Sequence, residues 1–287
     1  MAKPTNLIVD LSNLVYASYF ATMKDTNGEF SQSLIIQKIL NDILFSVEKF
    51  SASGLLIACD GRKNWRRDEL YPEYKGKREE HEHKAQMIEV MEDLMTFFRE
   101  STNIPTLNVE GAEADDIIAF ATKMSTQKSV IISSDKDFVQ LLNDRVRLYA
   151  PSLKLERISD NPKYDLFIKC IRGDSGDNIF SAYPRVRETR LKKAWDDGLE
   201  MVNLMGHILK DGKTVKENFE FNRELIDLSR QPDHIKESVV EAINNIASNG
   251  QSFKFVQVVR FLGKYKLVNV KNNMGRHSRV FKMTFKL

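Results

Sequence analysis

Short apolar runs in this chain end on acids. "NLIVD" closes at Asp10, "LLIACD" at Asp60, "PTLNVEG" near Glu110 and "SVIISSD" at Asp135. Between them, "SLIIQKILNDILFSVEKF" and "KAQMIEVMEDLMTFFREST" place apolar residues three and four apart, the spacing of a helix with one buried stripe. Strand, helix, strand in this rhythm predicts an α/β fold whose mostly parallel central sheet is flanked by helices on both faces. After about residue 150 the strand signal fades and "PKYDLFIKCIRG", "ETRLKKAWDDGLEMVNLMGHIL", "ENFEFNRELIDLS" and "HIKESVVEAINNIAS" read as helices. The expected division is therefore an α/β core over 1–150 and a helical region over 151–287. The final "RVFKMTFKL" alternates strictly. Phe281, Met283, Phe285 and Leu287 fall on one side and Lys282, Thr284 and Lys286 on the other, which predicts an amphipathic strand or an extended docking segment.

In parallel sheets, ligands collect beyond the carboxyl ends of the strands. The pattern delivers Asp10, Asp60, Glu113 with Asp115 and Asp116, and Asp135 with Asp137 to one such edge. For "EGAEADDIIAF" a plainer account also exists, because acids in a first helical turn face free N–H groups and the positive end of the helix dipole. Four segments doing the same thing favour a shared acidic site. Clustered carboxylates without thiol or imidazole partners select hard cations, magnesium or manganese. Seven acids exceed the needs of one ion, and two ions about 4 Å apart suit an in-line phosphoryl displacement. A further pair, Asp174 and Asp177 in "RGDSGDNI", reads on its own as a surface turn.

Composition narrows the class. At 287 residues and 42% hydrophobic the chain can bury a sizeable core. No run approaches the roughly 18 apolar residues of a membrane span. Two cysteines, Cys59 and Cys170, in no paired spacing fit a reducing cytoplasm. Net charge is only +3, but residues 251–287 carry six Lys, three Arg and no acid. An acidic body with a basic tail suits a metal-dependent enzyme acting on a polyanion. The tail itself reads either as a contact for nucleic acid or a protein partner, or as an edge strand. Residues 62–84 hold eight Lys or Arg, including Arg66 and Arg67, among Trp65, Tyr71 and Tyr74, a mixture that suits single-stranded nucleic acid; six acids in the same span leave a solvated helix as the alternative. His81 and His83 lie two apart and share no helix face, which argues against a zinc site there.

Taken in order, "LIVDLSN", "ACDGRKNWRRDELYPEYKGKR", "EGAEADDIIA", "SSDKDFVQLL" and "RGDSGDNI" resemble the 5′-nuclease or flap-endonuclease family, over roughly residues 5–200. Size and the poor match to the bacterial helix-hairpin signature look most like its T-even bacteriophage RNase H branch. The resemblance implies a 5′-nuclease-like fold of the PIN type, with a helical arch at about 62–100 and a helix-hairpin-like DNA-binding element in the C-terminal region. It implies a magnesium-dependent 5′ to 3′ exonuclease and flap endonuclease with RNase H activity, which removes RNA primers or 5′ flaps during phage replication in the host cytoplasm. Two Mg²⁺ ions, replaceable by Mn²⁺, would be held by Asp10, Asp60, Glu113, Asp115, Asp116, Asp135 and Asp137, with Asp174 and Asp177 completing the second ion's surroundings. Lys75 and Arg78 would contact the scissile phosphate, and Tyr74 would stack on a base. The family's glycine-containing turn after this motif is missing, since the chain reads "FSAYPRVRETRLKKAW". Arg185, Arg187, Arg190, Lys192 and Lys193 are expected to grip duplex phosphates by side-chain charge instead, with a steeper salt dependence. Expected partners are flap DNA and RNA–DNA hybrid, and a single-strand-binding protein or sliding clamp at the C-terminal region, for a monomer off the membrane. The rival readings are a noncatalytic forked-DNA-binding module and a magnesium-dependent phosphatase.

Overall fold

Leu7, Ile8 and Val9 are fully buried, as a central parallel strand with helices on both faces requires. They belong to a computed structural model that describes residues 4–77, 82–247 and 252–287. Six strands form one sheet: β1 (Thr5–Asp10), β2 (Gly54–Ala58), β3 (Thr106–Leu107), β4 (Lys128–Ile132), β5 (Val146–Ala150) and β6 (Leu155–Arg157). Their spatial order is β3-β2-β1-β4-β5-β6, and every neighbouring pair is parallel except β5 with β6. The mostly parallel α/β sheet predicted from the chain is therefore present, extended by β5 and β6, which the pattern of runs did not reveal.

Four helices make the crossovers: α1 (Leu11–Asp25), α2 (Gln32–Lys49), α3 (Lys84–Ser101) and α4 (Ala114–Met124). Their starts follow from local chemistry. Asp10 caps α1 by accepting the Asn13 N–H, and Ser31 caps α2 by accepting that of Leu34. On α2, Ile35, Ile36, Ile39, Leu40, Ile43, Leu44 and Val47 form the buried stripe that the spacing predicted. Each such side chain contributes about 1.5–3 kcal/mol through burial.

By their internal contacts the residues group into two compact units: 1–63, 80–158 and 233–287 in one, 64–79 and 159–232 in the other. The expected division at about 150 thus meets a chain that leaves the strand-containing unit at 158 and returns to it at 233.

The second unit is helical, with α5 (Pro162–Arg172), α6 (Glu188–Asp196), α7 (Gly198–Met205) and α8 (Val215–Ile226). Phe167, Ile171, Leu191, Leu204 and Val215 make one core, and Tyr74, Cys170, Ile179, Leu225 and Ile226 a second. Gly173 ends α5 at φ +71, where a Cβ would stand 2.2 Å from the Phe180 carbonyl oxygen, so no other residue fits.

Back in the first unit lie α9 (Asp233–Asn244), α10 (Phe255–Lys264), α11 (Val268–Asn272) and α12 (Met274–Phe281). Val258, Leu262, Val270 and Phe281 from these helices join the core around β1. Phe97 of α3 stacks on Phe261 at 4.2 Å and meets Phe281 edge-on at 5.3 Å.

The alternation in "RVFKMTFKL" is corrected at its start, because α12 takes in Arg279, Val280 and Phe281 as helix. Beyond it the chain runs along the sheet unit as a strap. Thr284 C=O accepts the Leu55 N–H at 3.0 Å, and the Asn6 side-chain amide donates to Lys286 C=O at 2.7 Å. Phe285 is buried and Met283 half-buried while Lys282, Thr284 and Lys286 are exposed, so the alternation holds over 282–286, but Leu287, expected on the apolar side, is exposed. No described helix is long and apolar enough to cross a membrane.

Candidate active site

The strand order reverses between β1 and β4, which makes their carboxyl ends the place where this topology gathers ligands. Asp10 ends β1 there and is only 4% exposed. Its Oδ1 accepts the Asn13 N–H at 3.0 Å and its Oδ2 the Ser133 hydroxyl at 3.0 Å. Burial, followed by the charges of Asp60 and Asp135, pushes the Asp10 carboxyl up to about 7, against the lowering effect of those two hydrogen bonds. The carboxylates that follow β2 and β4 therefore both bear on the one that ends β1.

Each of the other acids has a fixed local role. Asp60 is exposed, and its Oδ1 accepts the Ala114 N–H at 2.9 Å, joining the end of β2 to the start of α4. The close approach beside it needs Gly61, whose Cβ would lie 2.1 Å from the Val109 carbonyl oxygen. Glu113 and Asp116 form a reciprocal capping box at the start of α4, with Asp116 fully buried and Asp115 partly exposed. The plain account of "EGAEADDIIAF" is thus realised for two of its acids. Glu110 sits apart, 4.0 Å from Lys63. Asp135 Oδ1 accepts the Asp137 N–H at 2.9 Å, which closes the "DKD" turn.

This set offers oxygen donors only. The nearest thiol, Cys59, is held protonated by burial, with the Asp60 charge pushing the same way. A carboxyl whose pKa is lifted by burial and then by neighbouring carboxylates belongs to a donor set that fits a hard divalent cation.

In the helical unit, Asp174 and Asp177 lie in a closed turn in which Asp174 and Ile179 exchange backbone hydrogen bonds. Burial opposes charge on Asp174, but Lys169 at 2.9 Å and the N–H groups of Gly176 and Asp177 outweigh it and hold the carboxyl below its ordinary value. Glu73–Lys75 dock on this turn: Lys75 N–H donates to Asp177 C=O at 2.9 Å, and the Asn178 amide to Glu73 C=O at 3.0 Å. Lys75 has φ +58 and its ammonium lies 5.0 Å from the Tyr74 ring centre.

Two of the expected nucleic-acid contacts need correction. Tyr74 is buried among Cys170, Ile179, Leu225 and Ile226, so its ring faces a core rather than a base. Arg66 is 1% exposed, with its guanidinium over the Trp65 ring and its Nε donating to Leu225 C=O at 2.8 Å. It is a structural arginine. Arg67, Arg185, Arg187, Arg190, Lys192 and Lys193 are exposed. Of these, Lys192 pairs with Asp196, Lys193 with Glu200, and Arg190 bonds the Tyr183 hydroxyl. Arg185 occupies a left-handed position, φ +59, in the glycine-free hairpin. Arg78 lies outside the described residues.

Sequence reading missed Asn13, Ser133 and Ser134. Asn13 Oδ1 accepts both the N–H and the hydroxyl of Ser134, at 2.8 and 2.7 Å, and Ser133 connects Asp10 to Asp135. Their only trace in the sequence is a hydroxyl or amide beside each motif acid, in "DLSN" and "SSD".

Residues 5–165 match the family model described as "5′-3′ exonuclease, N-terminal resolvase-like domain". A 5′-3′ exonuclease from Buchnera aphidicola (subsp. Schizaphis graminum) is 29% identical over 191 residues, 62% of this chain and 65% of that protein. DNA polymerase I of Lactococcus lactis subsp. lactis is 28% identical over 257 residues, 80% of this chain but only 28% of the polymerase. The chain therefore spans about two thirds of the first relative and less than a third of the second. The fold matches that of the T5 D15 protein co-crystallised with metal ions, at TM-score 0.66 and 21% identity, over 85% of this chain and 99% of the other.

Proposed function

Because the chain belongs to the 5′-3′ exonuclease family, we propose that it hydrolyses phosphodiester bonds at 5′ ends, as an exonuclease and flap endonuclease with RNase H activity on RNA paired to DNA. The observation that carries this reading is buried Asp10, facing the charges of Asp60 and Asp135 at the strand-order reversal. Such a site is built to be neutralised by cations, which we take to be two Mg²⁺ ions that Mn²⁺ can replace. A bound divalent cation would supply an activated water and charge for the phosphoryl oxygens.

The chain's own side chains have separate parts. Asp10, Asp60, Asp115, Asp135 and Asp137 hold cation, and Glu113 and Asp116 fix the start of α4. Asp174 and Asp177 keep the role that the family resemblance gives them. Lys75 and Arg78 offset negative charge on the scissile phosphate. Arg67, Arg185, Arg187 and Arg190, with Lys192 and Lys193, track the nucleic-acid backbone. In support, a solved complex of the T5 D15 flap endonuclease contains DNA and metal ions. The substrates are then flap DNA and RNA–DNA hybrid, as primer removal in replication requires. Any contact with a sliding clamp or single-strand-binding protein is assigned to residues 252–287, whose nine cations are all exposed.

The direct test incubates a 5′-labelled flap and a 5′-labelled RNA–DNA duplex with the protein, with and without magnesium. Metal-dependent release of short 5′ products is expected from both. No release from either substrate would refute the proposal, and release from the flap alone would remove RNase H from it.

A further inference from the structure

Ser133 is fully buried at the end of β4 and belongs to none of the acidic groups. Its backbone is fixed, since its N–H donates to Tyr149 C=O of β5 at 3.1 Å. Its hydroxyl does two things at once. It donates to Asp10 Oδ2 at 3.0 Å and accepts the Asp135 N–H at 3.1 Å. One side-chain oxygen thereby links the acid ending β1 to the acid following β4, across the reversal of strand order.

The link continues outwards. Asp135 Oδ1 accepts the Asp137 N–H at 2.9 Å, which ties the Asp135 carboxylate to the backbone of the next acid. On its other oxygen Asp10 is held by the Asn13 N–H, and Asn13 in turn receives both donors of Ser134. Asp10 thus has each carboxylate oxygen fixed by a donor, one from α1 and one from Ser133.

We propose that Ser133 is a positioning residue for cation binding, holding the Asp10 carboxylate and the Asp135 backbone in one mutual geometry. The inference rests on the reading that these acids hold divalent cation. Only a short side chain with both a donor and an acceptor can fill the role. Alanine leaves the Asp135 N–H and Asp10 Oδ2 each short of a partner, so Asp10 is held through one oxygen only and the turn that carries Asp135 loses its tie to β1. Groups that orient metal ligands without touching the metal typically change affinity by about 10- to 100-fold when removed.

The test is calorimetric titration of Mn²⁺ into the full chain without nucleic acid, for wild type, Ser133→Ala, Ser133→Cys, Ser133→Thr and Asp135→Asn. Cysteine nearly keeps the volume of serine but bonds weakly, so it carries the test if the alanine variant does not fold. Ser133→Ala and Ser133→Cys are expected to bind Mn²⁺ about 10- to 100-fold more weakly, and Ser133→Thr, which keeps the hydroxyl, to regain most of that loss. DNA affinity in EDTA is expected to stay at the wild-type value for the three Ser133 variants, which change no charge. The proposal is overturned if the alanine or cysteine variant binds Mn²⁺ as wild type does while Asp135→Asn does not. If Asp135→Asn also binds like wild type, the cation-holding reading of the site fails first, and this proposal falls with it.

Discussion

The hydroxyl of Tyr74 donates to the carboxylate of Asp177 at 3.3 Å while the ring is packed inside the helical unit. A ring in that position acts on stability before it acts on DNA. Tyr74→Ala is expected to lower the unfolding free energy by about 3–5 kcal/mol, as for other large aromatic truncations. Tyr74→Phe, which loses one hydrogen bond, is expected to cost about 1 kcal/mol. Urea melts of both variants decide the matter. A Tyr74→Ala protein of wild-type stability with weakened DNA binding would restore the base-stacking role.

Asp10 gives the metal-free protein an unusual pH response. Its carboxyl is raised to about 7, whereas the unfolded chain ionises near 3.8. Between those values the folded state holds a proton that the unfolded state has released. The Asp10 contribution therefore favours folding at acid pH and is lost as pH rises through the window. In EDTA, Asp10→Asn is expected to melt at a higher temperature than wild type at pH 8, with the gap narrowing towards pH 5. Divalent cation should close the gap by stabilising wild type alone. Equal melting temperatures in EDTA at pH 8 would contradict this.

His277 acts in the opposite sense. It is buried, and neither ring nitrogen has a hydrogen-bond partner among the described residues. Burial, with Arg276 adding to it, lowers its pKa to about 4 from 6.5. Stability from the neutral ring is present above 6.5 and is lost as pH falls towards 4. Amides of α10–α12 should exchange faster at pH 5 than intrinsic rates predict, and His277→Leu should remove that excess. Unchanged protection at pH 5 in wild type would count against it.

Arg185 combines a backbone cost with a charge. A residue with a Cβ at φ +59 is disfavoured by about 1 kcal/mol relative to glycine. Arg185→Gly is expected to raise stability by about that amount. If Arg185 also contacts a phosphate, the same change lowers the slope of log K against log salt for DNA binding by about 1. Greater stability with an unchanged slope would leave Arg185 as a turn residue only.

Much of this molecule could be read from the chain, for definite reasons. Asp10, Asp60 and Asp135 stood out because buried parallel strands are unbroken apolar runs, and the first acid after each run marks its end. β5 escaped because "VRLYA" carries an exposed arginine and lies near the sheet edge, where the run is interrupted. β6, three residues long, leaves almost no pattern at all. Arg66 and Tyr74 were misread for another reason: basic and aromatic residues look alike in sequence whether they face solvent or a core, and only tertiary packing separates the two. Ser133 was invisible because a hydroxyl gains its meaning from what lies across the sheet. The Phe281 boundary failed because alternation and the end of an amphipathic helix share apolar positions over so short a span.

The strap over residues 282–287 has a consequence for how the chain is made. β3 pairs with β2 only at Ile57 and Ala58, so the first half of β2 depends on Thr284 for cover, and Asn6 meets Lys286 across 280 residues of sequence. During synthesis the β2 edge stays open, with its backbone groups free to pair with a neighbouring chain, until residue 284 has left the ribosome. Closure of that edge is a late, long-range event. A nascent chain stalled before it should be more prone to self-association than the finished protein.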